Sequence, residues 1–272
     1  MADVSSWTAG ASAPVVRPVA GFNARGCWAL FGKEVLRFLK IFPQTVLSPV
    51  VMSLLFFAVF QVGPKAAGAG DPTYPAFLAT GLVMMAVLQN AFFNSAGALI
   101  LSKIQGNIVD LIMAPLSPVE WTLAYGMAGV VRGLVVGIVS VAALAFFVDL
   151  PLASVGVAFF FCVFGSLVMA LIGFVVGLWG DSFDAIGTVQ NFVIMPATFL
   201  SGTFFPISSL PGVWGVVGRC NPFFYLIDGF RYGFLGQAEG SPWVGGVVLL
   251  VVTAALFALS VRMVAKGSTI KK

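Results

Sequence analysis

Six apolar stretches constrain this chain more than any other feature: approximately residues 44–62, 75–101, 121–148, 152–179, 186–205 and 243–264. Each is near or above the ~20 residues that cross a bilayer as helix. The expected fold class is therefore all-α integral membrane, with six transmembrane helices. Composition agrees, because apolar residues make up 60% of the chain and charged residues 9%, against roughly 45–50% and about 25% in soluble domains. So little polar surface will not cover a water-facing globule.

Several functions drop out at once. The chain has no histidine, which removes histidine-based triads, histidine-ligated metals and imidazole pH switches within this subunit. Cys27, Cys162 and Cys220 are an odd number with no CxxC spacing, so neither a disulfide framework nor a thiolate metal cage is expected. Fourteen Lys and Arg against ten Asp and Glu give a formal charge of +4. The cations sit beside apolar spans, so they point to a membrane and not to nucleic acid.

Orientation follows from where those cations fall, since positively charged loops resist translocation. With both termini cytoplasmic, the inner side receives Arg17, Arg25, Lys33, Arg37, Lys40, Lys103, Arg262, Lys266, Lys271 and Lys272, and the far side only Lys65, Arg219 and Arg231. Arg132 lies inside the third span; it is expected to snorkel to the cytoplasmic interface, with a substrate or partner contact as the alternative. Residues 1–24 form an expected disordered cytoplasmic tail without the apolar core of a signal peptide. Residues 25–265 form the membrane domain, and 266–272 a cytoplasmic C-terminal tail.

Helix punctuation supports the boundaries. Ser117, Pro118 and Glu120 make a capping box with Pro at the first helical position. Asp71 with Pro72 and Ser241 with Pro242 give the same start signal. Pro196 lies inside the fifth span, and its missing N–H predicts a kink there.

Three extramembrane features exceed what a plain bundle needs. Over 28–42, helical spacing gathers Lys33, Arg37 and Lys40 on one face and Trp28, Phe31, Val35, Phe38, Leu39 and Phe42 on the other, which predicts a helix lying in the membrane plane. Such a helix is either an anchor or a mechanical element. The link 102–121 contains a short amphipathic helix: Asn107 is expected to cap it, Ile108, Leu111 and Ile112 to share one side, and Pro115 to end it. Its apolar face needs covering, by a partner protein or by lipid. Between the last two spans, Pro206, Pro211 and Pro222 divide 202–240 into pieces too short to cross. Asn221 and Pro222 start a helix running to about Leu235, on which Asp228 and Arg231 are spaced to pair beside a crowd of aromatics including Tyr225. These pieces are read as half-inserted helices, with an interfacial aromatic belt as the plainer reading.

In this order the three features resemble the membrane subunit of a type-2 ABC exporter. The resemblance covers roughly residues 25–265, most specifically GNIVDLIMAPLSPVEW (106–121), FLSGTFFPISSLPG (199–212) and NPFFYLIDGFRYGFLG (221–236). It implies that 28–42 is a connecting helix lying against an ATPase. It also implies that Asn107, Ile108, Asp110, Leu111, Ile112, Met113 and Pro115 belong to a coupling helix seated in an ATPase cleft. Residues 206–235 would then be a pair of re-entrant helices forming a far-side gate.

The chain has no GxxxxGK[ST] phosphate loop, and Lys266-Gly267-Ser268-Thr269 lacks the preceding glycine and the strand-to-helix context. ATP and Mg are accordingly expected on a separate ATPase subunit, in two copies. Six helices make half of such a transporter, so a homodimer is expected, with a heterodimer of two permeases as the alternative, in a bacterial inner membrane and with a path along the two-fold axis. Asn90 and Asn94 on the second span, and Gln190, Asn191 and Pro196 on the fifth, mark interior faces, as interhelical hydrogen-bonding groups or as a translocation path. The expected cargo is amphipathic, lipid-linked, polysaccharide or drug, moved outward. A secondary transporter or channel uncoupled from ATP is the alternative. A lipid-directed enzyme would rest on Asp181 and Asp184 alone, which are more simply helix N-terminal charge.

Overall fold

The computed structural model describes residues 21–62 and 73–267, and over these it is built of helices and turns. Most of the expected N-terminal tail, Lys65, the Asp71–Pro72 start signal and residues 268–272 lie outside the described residues.

Helix α1 (Ala24–Lys40) starts four residues earlier than 28, because the Asn23 side chain accepts a hydrogen bond from the Gly26 N–H and caps it. A π-helical turn (Pro43–Leu47) leads into α2 (Ser48–Val62). Then come α3 (Tyr74–Ile104), the short α4 (Ile108–Met113), α5 (Pro118–Leu144) and α6 (Val155–Trp179). Helix α7 (Phe183–Val189) continues through a second π turn (Gln190–Ile194) into α8 (Met195–Phe199). A 3-10 turn (Ile207–Ser209), α9 (Val213–Cys220), α10 (Pro222–Leu235) and α11 (Pro242–Lys266) are the last of the described elements.

Among the described residues five helices are long and apolar enough to cross a membrane: Pro43–Gln61, Tyr74–Ile104, Pro118–Leu144, Val155–Trp179 and Pro242–Lys266. The expected fifth span, 186–205, differs. Its helical part covers 183–199 and the chain then turns, so the helix reaches about 26 Å, short of a ~30 Å hydrocarbon core. The irregularity expected at Pro196 takes the form of the preceding π turn, where the Met195 N–H bonds the Gln190 carbonyl. That wider turn gives the proline ring room that an α-helical turn would deny it.

Helix α3 is the centre of the bundle, packed against α2, α5, α6 and α10, and nearly all its side chains between Leu78 and Ile100 are buried. Small residues permit this density. A Cβ on Gly173 of α6 would collide with the backbone carbonyl of Phe92, so only glycine lets α6 and α3 approach there. By contrast α2 and α11 bury only about a quarter of their apolar windows, 28% and 22%, and present the rest outward.

Candidate functional site

The link between α3 and α5 forms a hook. Six residues do not sustain an isolated helix, so α4 depends on its neighbours. Leu111 supplies the anchor, buried in an apolar cluster with Leu30 of α1, Trp121 and Tyr125 of α5 and Phe174 of α6. Pro115 ends the helix by holding Ala114 extended, at ψ 138°. Two expectations need correcting. Asn107 does not cap α4 with its side chain; its Nδ2 donates to Gln105 Oε1 at 3.2 Å. Nor do Ile108, Leu111 and Ile112 share one environment. Leu111 points inward and Ile108 is half-buried, whereas Val109, Ile112 and Met113 are exposed, Met113 by 74%. The outward face is therefore Val109, Ile112 and Met113, flanked by exposed Asp110.

Glu120 fastens this hook. Its carboxylate closes the expected capping box, accepting from the Ser117 N–H at 2.7 Å, and also accepts from the Asn23 N–H at the start of α1. Asn23 Nδ2 in turn donates to the Pro115 carbonyl at 3.1 Å. Cys27 lies beside the same group, and burial followed by the Glu120 charge pushes its thiol pKa up. The starts of α1 and α5 and the end of the hook are thus one hydrogen-bonded unit. On the same side Lys103 Nζ donates to the Leu178 and Gly180 carbonyls, 2.7 and 2.9 Å, and lies 3.7 Å from Asp181, capping the C-terminal end of α6. Asp184 sits in the first turn of α7, which fits the helix-charge reading of the Asp181/Asp184 loop.

Helix α1 is more embedded than its periodicity suggests. Lys33, Lys40 and Trp28 are exposed and Phe31 is half-buried beside Trp28, but Phe38 is buried against the bundle. Arg37 departs from the expected cationic face. Its Nε donates to Glu34 Oε2 at 2.9 Å, and its Nη2 to the Asn94 carbonyl at 2.9 Å and Asn94 Oδ1 at 3.5 Å. Glu34, only 1% exposed, is a residue that sequence reasoning missed; its spacing three before Arg37 was the available signal. Arg132 likewise meets α3, its Nη2 donating to Asn90 Oδ1 at 2.9 Å.

Of the five candidate path residues, Asn90 lines a groove. The groove lies between the start of α2, the middle of α3 and Met195, encloses about 270 Å³, and brings Gln44, Ser48, Ser53 and Gln89 together with Met52, Phe56, Met85 and Phe93. Asn94 is fully buried under Arg37, Gln190 is buried away from it, and Asn191 and Pro196 are exposed on the outer side of 183–199. Gln44, immediately after Pro43, and Gln89, next to Asn90, were overlooked; an amide inside an apolar run was the readable sign.

The cap over residues 200–241, expected on the far side, is knit by polar groups. Asn221 caps α10 through the Phe223 N–H at 3.1 Å and donates to the Ala197 carbonyl at 2.6 Å, with Pro222 at the first helical position and Tyr225 half-buried on the next turn. The expected Asp228–Arg231 pair does not form as a direct contact. Asp228 instead accepts from the Glu239 and Gly240 N–H groups at 3.0 and 2.9 Å, while burial pushes its carboxyl pKa up against those bonds and the nearby Arg231 charge. Arg231 donates to the Gly202 carbonyl at 2.7 Å and stacks over Phe77, 3.5 Å from the ring centroid. Glu239 accepts from the Ile207 and Ser208 N–H groups, holding the turn after half-buried Pro206, while Pro211 stands exposed before α9. On α3, Gly81 faces the Thr203 carbonyl so closely that a Cβ would collide with it.

Comparison with known proteins adds identity to this geometry. Residues 25–235 match the family described as ABC-2 type transporter. The chain is 33% identical over 241 residues to the inner membrane transport permease YadH of Escherichia coli strain K12, covering 88% of this chain and 94% of that protein. The same identity and coverage hold for YadH of Shigella flexneri. Nodulation protein J of Rhizobium leguminosarum bv. trifolii is 28% identical over 211 residues, covering 70% of this chain and 74% of that protein.

Proposed function

Because the chain belongs to the ABC-2 type transporter family, whose permeases work with an ABC ATPase partner, we propose that it is an exporter subunit worked through the α4 hook. In this reading a separate ATPase subunit, in two copies, binds ATP and Mg and seats α4. Two copies of this chain line the path, both termini are cytoplasmic, and 183–199 with the following turn makes the sixth crossing. The plasma membrane, in bacteria the inner membrane, is the expected location.

One observation carries the proposal. Helix α4 keeps Val109, Ile112 and Met113 outside while Leu111 and Glu120 tie it to α1, α5 and α6. An exposed apolar tip on a fastened lever suits a partner's cleft, by the helix-in-groove mode. Force applied there reaches α1 and α5 together, because they share the Glu120 carboxylate. The amide groove between α2 and α3 is the stretch of path that this chain contributes, and its mixture of Phe, Met, amide and hydroxyl groups suits an amphipathic, lipid-linked, polysaccharide or drug cargo. The test is co-purification of the ABC ATPase subunit with tagged permease, and ATP-dependent transport in proteoliposomes. Met113→Glu is expected to abolish both while leaving the melting temperature unchanged. Full ATPase recovery and transport with this variant would overturn the proposal.

A further inference from the structure

Two guanidiniums meet α3 on consecutive turns, Arg37 at Asn94 and Arg132 at Asn90. Positions four apart on a helix lie about 5–6 Å from each other, so the two cations are neighbours, and the carboxylate in direct contact with them is Glu34 alone among the described residues. One positive charge is left over. Within an apolar bundle that surplus is expensive unless an anion shares the site.

The unpaired polar atoms around the pair tell the same story. Arg132 Nε and Asn94 Nδ2 are buried without a hydrogen-bond partner, as are the Tyr125 hydroxyl and, in the groove beside Asn90, Gln89 Nε2; each of the four can donate. Such a set is complemented by a group that only accepts. Arg37 and Arg132 are each half-buried and not sealed, so a ligand can reach them. Their level is informative too. Asn94 lies ten residues, about 15 Å, from the Ile104 end of α3, the end from which the hook leaves, so the pair sits on the hook's side of the middle of the bundle. Beside Asn90 opens the groove that carries Gln44 and Ser48, which leads away from the guanidiniums with further hydrogen-bonding groups.

We infer that Arg37 and Arg132, with Asn90, Asn94 and Gln89, form a binding site for the phosphate of an anionic lipid headgroup in the inner leaflet. Arg forks match phosphate oxygens in geometry and charge, and basic pockets between membrane helices on the cytoplasmic side are suited to such headgroups. The phosphate belongs either to a resident phospholipid or to a polyprenyl-phosphate type of cargo. The site stands on the Arg and amide geometry and does not depend on ATPase coupling.

The experiment uses the full chain in detergent, titrated separately with phosphatidylglycerol, phosphatidylcholine and a polyprenyl phosphate, with bound lipid counted by native mass spectrometry. One anionic lipid per chain is expected, with phosphatidylcholine weaker because its ammonium meets the surplus positive charge. Arg132→Gln is expected to weaken anionic binding about fivefold or more, the worth of one cation near a lipid surface. The exposed-cation control Lys33→Gln/Lys40→Gln changes it less than about twofold, since those side chains stand off the site. Displacement of phosphatidylglycerol by polyprenyl phosphate assigns the site to cargo, and resistance to displacement assigns it to a resident lipid. Equal affinity in wild type and Arg132→Gln, or loss that follows Lys33 and Lys40, overturns the inference. Should Arg132→Gln fold poorly, Arg132→Lys keeps the charge but loses the fork; its affinity is expected between the other two, and wild-type affinity would refute the site.

Discussion

The two ends of the bundle are tied together differently. At the end expected to face away from the cytoplasm, Asp228, Arg231, Glu239 and Asn221 each satisfy backbone groups of another segment of the same chain, and aromatic rings fill the space between. At the end expected to face the cytoplasm Glu120 and Lys103 act as caps, and Val109, Ile112 and Met113 remain exposed. The cap spends its polar groups within the chain but exposes Val213, Trp214, Val216 and Val217 on α9, as the hook exposes Val109, Ile112 and Met113. Only the hook is tied through the Glu120 carboxylate to the starts of both α1 and α5, so the coupling role is proposed there and not on the cap.

Substitutions at the two ends should therefore separate stability from coupling. Arg231→Ala removes a buried cation, its carbonyl bond and its ring contact, and leaves Asp228 buried beside it. A loss of about 3 kcal/mol or more is expected, read as a large fall in melting temperature, with ATPase recovery per folded molecule unchanged. Glu120→Ala strips the capping box and leaves the Ser117 and Asn23 N–H groups unpaired, for about 2 kcal/mol. Here both readouts should fall together, because the same carboxylate fastens the hook. If ATPase recovery stayed at wild-type level while stability dropped, the shared-lever account would be wrong.

Smaller effects sharpen the contrast. Ile112→Glu alters an exposed side chain, so melting should shift by less than about 0.5 kcal/mol while ATPase recovery collapses. Leu111→Lys cannot make that distinction, since it opens the apolar cluster under the hook as well. Asn107→Ala should do least, within about 0.5 kcal/mol and with normal coupling, because the Asn107 side chain caps nothing in α4; a loss near 1 kcal/mol by thermal melting would restore the capping role.

The long spans were legible because hydropathy and capping are local. Ser117 with Glu120, Asn221 with Pro222 and the stop at Leu235 followed by Gly236 in the left-handed conformation, φ 69°, are written in short sequence windows. What was not legible depended on partners far along the chain. Arg37 reads as one of three cations on a helical face, and only the approach of Asn94, 57 residues away, turns it inward. Asp228 and Arg231 have ion-pair spacing, yet the 239–240 turn and the Gly202 carbonyl compete for them and win. The fifth span read as continuous because hydropathy does not register a π turn, nor where after Phe199 the chain leaves the helix.

The central claim, that work enters at the hook, is tested most directly by placing a photo-crosslinking residue at Met113 and, in a separate variant, at the equally exposed Trp243 at the start of α11. Irradiation of membranes containing permease and ABC ATPase should give a permease–ATPase adduct from position 113 and none from 243. No adduct at 113, or an adduct at 243 alone, would contradict it.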